Sequence, residues 1–95
     1  MSNYRISKAA REDLFIIAQY GDVTFGIPQS DRYRDLLKQR FSLLAKHPLL
    51  YPSVDYIRLG YRRSVCGVHS IYYRIDKDTI EIMRVLGRQN LSVLQ

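Results

Sequence analysis

Arginine, histidine and tyrosine side chains are concentrated in the second half of this 95-residue chain, and together they could cleave RNA without a metal ion. Such cleavage needs a base for the 2′-hydroxyl, a cation for the pentavalent phosphate and an acid for the leaving oxygen. His69 could serve as base or acid, and the tyrosines could stack on bases. The candidate phosphate-binding residues are Arg62, Arg63, Arg74, Arg84 and Arg88. Their spacing does not place them together, and arginines on strands are more often solubilising groups or ion-pair partners.

Two other kinds of site are poorly supported by the sequence. A nucleophilic cysteine needs a nearby base, and His69 follows Cys66 by three residues. The favoured interpretation is nevertheless that Cys66 is a small apolar filler in a strand. His47, His69 and this cysteine lack metal-ligand spacing, and phosphate-cradling glycine motifs are absent. We therefore expect no metal and no cofactor.

The charge distribution predicts an anionic partner. The net charge is +6, and the stretch from Arg58 to Arg74 contains four arginines and no acidic residue. A small basic domain is attracted to polyanions or to acidic proteins. An ordinary solvated basic surface explains the charge equally well.

Length and composition predict one domain spanning residues 1–95. A single cysteine excludes an internal disulfide. The N-terminus lacks an apolar signal core, and no run approaches the roughly 20 apolar residues of a membrane span. We therefore expect a cytoplasmic protein with no membrane contact.

The first half of the chain predicts a short strand and a helical hairpin. Tyr4–Ile6 alternates like a strand and leads into Ser7, a helix cap. A first helix is predicted from residue 8 to about residue 20, with Gly21-Asp22 and Gly26 marking a break. Pro28 suits the first turn of a second helix, which Pro48 ends. The residues at helical spacing are Ala10, Leu14, Ile17 and Ala18 in the first helix and Tyr33, Leu37, Phe41 and Leu44 in the second.

The second half predicts three strands. From Leu50 the pattern has period two, with Ile57, Leu59, Tyr61 and Val65 on one face and Tyr56, Arg58, Arg62 and Cys66 on the other. Gly67 marks a turn into a second strand, whose alternating residues are His69, Ile71, Tyr73 and Ile75. After the polar turn at 76–78, Ile80, Ile82 and Leu86 alternate with Glu81, Met83 and Val85.

These elements predict an α+β fold with an N-terminal strand, an antiparallel helical hairpin and a three-stranded C-terminal antiparallel meander. The helical hairpin is expected to cover one sheet face and to leave the other for solvent or a partner. Phe15, Ile16, Leu36 and Leu43 exceed what one core face requires, which predicts an exposed apolar partner surface. The last eight residues are expected to form either an ordered or a frayed tail.

The order and spacing of several segments resemble the ParE/RelE toxin superfamily over nearly the whole chain. The segments are 4–10, Asp13-Leu14, 31–45, His47-Pro48, 57–63, 67–75 and 81–86. The nuclease branch carries lysines on the middle strands and a terminal tyrosine, whereas this chain has Arg62, Arg63 and His69 there and no tyrosine in its tail. Gly87 and the run 88–90 also depart from the common ParE ending. The resemblance is therefore closer to the ParE branch.

The resemblance implies a toxin of a type II toxin–antitoxin pair that inhibits DNA gyrase and has no reaction of its own. It implies a ParD-like antitoxin with an acidic or amphipathic tail, and DNA contact only through that antitoxin. The exposed apolar residues predict that the free toxin self-associates, for instance as a homodimer. The alternatives are a RelE-like ribosome-dependent endoribonuclease using His69, Arg84 and Arg88, and an inactive antitoxin-binding relative. Residues expected to bind the antitoxin are Phe15, Ile16, Leu36, Leu43, Arg58, Arg62 and Arg74. Residues expected to bind the target are Arg63, His69, Arg84 and Arg88.

Overall fold

The computed structural model describes residues 3–87 and contains two helices and one four-stranded sheet in that range. The elements are β1 (Asn3–Ile6), α1 (Lys8–Phe25), α2 (Ile27–Lys46), β2 (Tyr61–Cys66), β3 (His69–Asp76) and β4 (Thr79–Gly87). The α+β class and the C-terminal antiparallel meander are confirmed. The strand order is β1-β4-β3-β2, and β1 joins the sheet parallel to β4. Neither helix is long and apolar enough to cross a membrane.

Helix α1 is longer than predicted, because Gly21 and Asp22 lie within it and do not end it. Gly21 is buried against α2, where a Cβ atom would approach Ser30 Oγ to 2.6 Å. The glycine therefore permits close helix packing and is not a break. The turn is confined to Gly26, whose φ of +88° reverses the chain into α2.

The start of α1 is fixed to β4 through Ser7. As predicted, Ser7 caps the helix, since its Oγ accepts a hydrogen bond from the Ala10 N–H. The same hydroxyl donates to the carbonyl of Met83, and the Ser7 N–H donates to that of Ile82. This places the first turns of α1 beside the second half of β4, beyond the end of β1.

A bulge in β4 changes the predicted faces of that strand. Tyr73 lies opposite Ile82 but Tyr72 lies opposite Arg84, so Met83 is an extra residue. Ile82 and Val85 consequently face the helices, whereas Leu86 joins the cluster on the other face. The prediction that Leu86 shares a face with Ile80 and Ile82 was wrong, because strict alternation does not survive a bulge.

The main core lies between the helical hairpin and the inner face of the sheet, as predicted. Ala10 of α1 and Leu37, Phe41 and Leu44 of α2 pack there with Cys66, Ile71, Tyr73, Ile80, Ile82 and Val85 of the sheet. Cys66 is buried in this core and has no disulfide partner. Its environment agrees with an apolar filler.

Residues 47–60 form a loop, although the alternating pattern had placed Ile57 and Leu59 in a strand. The strand prediction was wrong here because the backbone closes a turn, in which the N–H groups of Ile57 and Arg58 both donate to the Val54 carbonyl. Gly60, with φ of +84°, ends the turn before β2. Only Tyr61 and Val65 of the predicted face belong to the strand.

This loop also covers part of the outer sheet face, which was expected to be left open. Val54 is buried with Tyr61, Tyr72 and Leu86, and Ile57 packs against them. The loop crosses the free edge of β2, where the Val54 N–H donates to the Tyr61 carbonyl. The sheet edge at β2 is thereby partly paired and less open to another strand.

Candidate partner-binding site

An apolar surface runs along the outside of the helical hairpin. It extends from α1 through the interhelical turn to α2, and we call it the hairpin surface. Its exposed members are Phe15, Ile16, Tyr20, Val23, Phe25, Ile27 and Leu36. Ile16, Tyr20 and Val23 are four and three residues apart, so they form one stripe of α1. An exposed apolar surface of this length is typical of a partner site.

The hairpin surface opens into a cavity of about 440 Å³ between the two helices and the β2–β3 turn. Tyr20, Phe25 and Leu36 lie along its apolar wall. Val68 of the β2–β3 turn and His69, the first residue of β3, line the remaining side. The cavity is large enough for one or two apolar side chains of a bound segment.

Tyr33 joins α2 to the β2–β3 turn at the base of this cavity. Its hydroxyl accepts a hydrogen bond from the Val68 N–H at 3.2 Å and lies 2.6 Å from Nδ1 of His69. It is also 3.2 Å from the Cys66 carbonyl, a second possible acceptor for its single proton. The ring lies against Gly67, where φ is +61° and a Cβ atom would come within 2.6 Å of it. A glycine is therefore required at this contact for both backbone and steric reasons.

The protonation states of this pair follow from burial. Desolvation raises the pKa of Tyr33, so the phenol keeps its proton at neutral pH. Desolvation lowers the pKa of His69, and the negative charge of Asp13 opposes that shift only in part. His69 is therefore neutral at physiological pH, and the tautomer of its ring sets the direction of its hydrogen bond with Tyr33. On protonation of His69, Nδ1–H donates to the Tyr33 hydroxyl, which then donates to Cys66.

We expect stability to fall on acidification because of His69. The unfolded chain protonates this histidine near its ordinary pKa of about 6.5, and the folded chain only at lower pH. The unfolded state therefore binds more protons as the pH falls below this value, which costs folding free energy. Urea unfolding of wild type and His69→Gln between pH 7.5 and 5.5 measures this, with a smaller pH dependence expected for the variant. Equal pH dependence in both would contradict the assignment.

Asp13 of α1 organises the adjacent corner of the sheet. Its carboxylate accepts hydrogen bonds from Nε and the terminal nitrogen of Arg84 at 2.8 and 2.9 Å and from the Val85 N–H at 3.0 Å. This ion pair raises the pKa of Arg84. The structure thus brings His69 and Arg84 to one corner, but each already has a partner within the chain.

The predicted antitoxin residues do not all lie on one surface. Phe15 and Ile16 are exposed on α1, Leu36 lines the cavity, and Leu43 is half-buried on α2. Arg62 donates to the Tyr51 carbonyl near the edge of β2. Arg58 and Arg74 lie elsewhere, since Arg58 stacks on Tyr61 of the outer cluster and Arg74 is paired with Glu81.

The predicted target residues are likewise dispersed. Arg63 is half-buried in β2, opposite Tyr72 of the outer cluster, whereas His69 faces the cavity. Arg84 is bound to Asp13. Arg88 lies outside the described residues. Between residues 3 and 87, no group of histidine, cysteine and acidic side chains has the arrangement of a metal site.

Sequence reasoning missed Tyr20, Val23, Phe25 and Val68 as surface residues and Tyr33 as a partner of His69. Tyr20 and Val23 continue the helical spacing from Ile16, so a helix extended past Gly21 would have found them. Tyr33 was recognised only as part of the helical apolar repeat. Its bond to a residue 36 positions away has no local signal.

Comparison with known proteins gives the family. The model of the family described as ParE toxin of type II toxin–antitoxin system, parDE, matches residues 4–91. Toxin ParE1 of Caulobacter vibrioides is 35% identical over 86 residues, which cover 90% of this chain and 88% of that protein.

Two solved structures have the same fold. One, described as a chromosomal ParDE toxin–antitoxin system from P. aeruginosa, has a TM-score of 0.78 at 18% identity and covers 92% of this chain and 96% of its own. The other, the toxin–antitoxin complex RelBE2 from Mycobacterium tuberculosis, has a TM-score of 0.65 at 23% identity, covering 92% and 98%. The fold is therefore common to both branches, and it is the sequence match over most of the chain that separates them: this chain belongs to the ParE toxin family of type II toxin–antitoxin systems.

Proposed function

We propose that this toxin acts by binding DNA gyrase, without a reaction of its own, and that a ParD-like antitoxin neutralises it by covering the hairpin surface. The observation that carries the antitoxin part is the continuity of exposed apolar side chains from Ile16 to the cavity beside Tyr33. The gyrase part rests on membership of the ParE family.

The shape of the hairpin surface favours an amphipathic segment as its occupant. A stripe of Ile16, Tyr20 and Val23 along one helix accepts a second helix or an extended strand of apolar residues. The cavity beyond Tyr20 then receives one apolar side chain of that segment. In the absence of antitoxin, the same surface is available for homodimer formation.

Charge supports an acidic partner. Arg32 borders the cavity, and Arg62 lies near the edge of β2 with only a neutral hydrogen-bond acceptor described for it. Carboxylates of an antitoxin segment that passes from the helices to this edge would meet both. The resulting attraction chiefly increases the association rate and helps to fix the register of binding.

The corner near His69 supports binding in preference to RNA cleavage. A nuclease needs a cation free to stabilise the phosphate in the transition state. The Arg84 guanidinium is instead held by the carboxylate of Asp13 in two hydrogen bonds, and His69 is hydrogen-bonded to Tyr33. The carboxylate of Asp13 lowers the positive potential that Arg84 could offer to a phosphate, which disfavours the nuclease alternative.

A paired assay tests the target. Purified toxin is expected to increase gyrase–DNA cleavage complexes in a supercoiling reaction and to leave mRNA intact in a translating extract. The converse result, codon-positioned mRNA cuts with unchanged gyrase activity, would replace the gyrase proposal by the endoribonuclease alternative. Growth that is unaffected by expression without antitoxin would indicate an inactive relative.

Substitution of Tyr20 tests the antitoxin surface. Tyr20→Asp introduces a charge into the middle of the apolar stripe, and we expect the dissociation constant for the antitoxin to rise about 100-fold. Ser42→Asp is the matched control, because Ser42 is an exposed residue of α2 that borders a different hollow, beside Asn3 and Tyr4. Equal affinities of the two variants in titration calorimetry would contradict the assignment of the hairpin surface.

A further inference from the structure

The turn between Val54 and Tyr61 is held more firmly than its place in a loop indicates. The N–H groups of Ile57 and Arg58 donate to the Val54 carbonyl, and the Tyr61 N–H donates to that of Arg58. The Asp55 carboxylate accepts a hydrogen bond from the Gly60 N–H at 2.9 Å. Six residues of the turn thus take part in hydrogen bonds within it.

One side of this turn packs on the sheet, and the other side is exposed. Val54 is buried in the outer cluster and Ile57 packs against that cluster. Tyr56 and Leu59, in contrast, are 78% and 85% exposed. The fold therefore presents a tyrosine and a leucine on a rigid support, where little conformational entropy is lost when a partner binds them.

The charge around the turn is mainly positive. Residues 54–63 contain three arginines, Arg58, Arg62 and Arg63, and one acidic residue, Asp55, whose carboxylate accepts a hydrogen bond from the Gly60 N–H. Arg63 is half-buried on β2 next to this region and forms no ion pair with any residue between 3 and 87. A partner that covers Tyr56 and Leu59 would complement the turn best if it supplied carboxylates.

The position of the turn separates it from the hairpin surface. The helices pack on the inner face of the sheet, whereas the cluster under the turn lies on the outer face, with Tyr72 and Leu86. A segment bound along α1 and the cavity would leave Tyr56 and Leu59 uncovered. The aliphatic Leu59 favours a protein over a nucleic acid, because bases stack on aromatic rings and phosphates gain nothing from a leucine.

We propose that the turn Val54–Tyr61 is the surface through which the toxin contacts its cellular target, an apolar protein surface bordered by carboxylates, and that it is separate from the antitoxin surface. The inference rests on the proposed function in requiring a protein target, but it does not require that target to be gyrase. Because the two surfaces are separate, an antitoxin that neutralises the toxin must also keep the target away from this turn, with a part that lies beyond the segment on the hairpin surface.

The test uses the full-length toxin carrying Tyr56→Ser and Leu59→Ser together, since both side chains are exposed and their loss leaves Val54 and Ile57 in place. Thermal unfolding verifies the fold. We expect the expression level needed for growth arrest without antitoxin to rise about tenfold or more, and the antitoxin dissociation constant to stay within about twofold of wild type. Unchanged growth arrest, or a parallel loss of antitoxin affinity, would overturn the proposal.

A charge reversal tests the second element of the surface. Arg63→Glu is expected to weaken growth arrest to a similar extent, and Lys38→Glu, an equal charge change on the exposed face of α2, is expected to leave it unchanged. Equal effects of the two reversals would overturn the local role of Arg63. If wild type arrests growth without affecting gyrase, only the identity of the target fails. If wild type causes no arrest, both proposals fail.

Discussion

Replacement of Asp13 by alanine is expected to lower the free energy of unfolding by about 2–4 kcal/mol, since it leaves a partly buried cation and a backbone donor without their acceptor. The Asp13 side chain is 10% exposed and that of Arg84 is 26% exposed. The carboxylate also accepts the Val85 N–H, on the stretch of β4 that β1 does not reach. The variant therefore loses the link between α1 and the end of the sheet as well as an ion pair. Urea unfolding at neutral pH measures the loss.

Two further variants separate these contributions. Asp13→Asn keeps an oxygen for the Val85 N–H but removes the charge, so an intermediate loss is expected. Asp76→Ala breaks the ion pair between Asp76 and Arg5, whose side chains are 44% and 53% exposed, respectively. A much smaller loss of stability is expected, because solvent screens that pair. Equal losses in the free energy of unfolding for Asp13→Ala and Asp76→Ala would show that the Asp13–Arg84 contact stabilises the fold no more than an exposed ion pair does.

Gly67→Ala is expected to destabilise the protein by about 2–3 kcal/mol, of which about 1 kcal/mol is the backbone strain of a left-handed conformation. The added Cβ atom would lie 2.6 Å from the Tyr33 ring and 2.7 Å from its hydroxyl oxygen. Tyr33 would have to move, which breaks its hydrogen bonds to Val68 and His69. The β2–β3 turn would then lose its attachment to α2.

Gly60→Ala provides the matched control for this substitution. Gly60 has φ of +84°, but a Cβ atom there would meet no atom within 4 Å. We expect a loss of about 1 kcal/mol, the strain alone. Chemical denaturation of both variants gives the steric part by difference. Two equal losses would mean that Tyr33 yields to the methyl group without cost, contrary to a tight contact between Gly67 and the Tyr33 ring.

These two contacts involve His69 and Arg84, two of the residues that the nuclease alternative would use. Asp13 holds Arg84, and Tyr33 holds His69. The contact between Tyr33 and His69 bears on the proposed binding site as well as on stability, because both residues line the cavity and their hydrogen bond orders its wall.

Local signals in the sequence were sufficient for most of the secondary structure. Ser7 predicts the start of α1 because a cap is recognised from its residue type and the apolar repeat that follows. Leu37, Phe41 and Leu44 predict the buried face of α2, and the structure buries all three. The β2–β3 hairpin follows from Gly67 between two alternating runs. Each of these features depends on residues within a few positions of one another. The family resemblance, which the comparisons confirm, depends on the order and spacing of such segments along the chain.

Tertiary structure decided the features that depend on distant residues. Gly21 is a helix breaker by local propensity, yet α1 continues through it because Ser30 of α2 packs on the bare backbone. Ile57 and Leu59 alternate like a strand, yet the Val54 carbonyl draws the backbone into a turn. The sequence around Arg84 offers no acidic partner at a recognisable spacing, yet the fold pairs Arg84 with Asp13, which lies 71 residues earlier. The sequence by itself determined the elements, the family and the basic charge of this protein. Only the fold decided which charges remain available to a partner, because ion pairs and packing contacts form between segments that are far apart in the sequence.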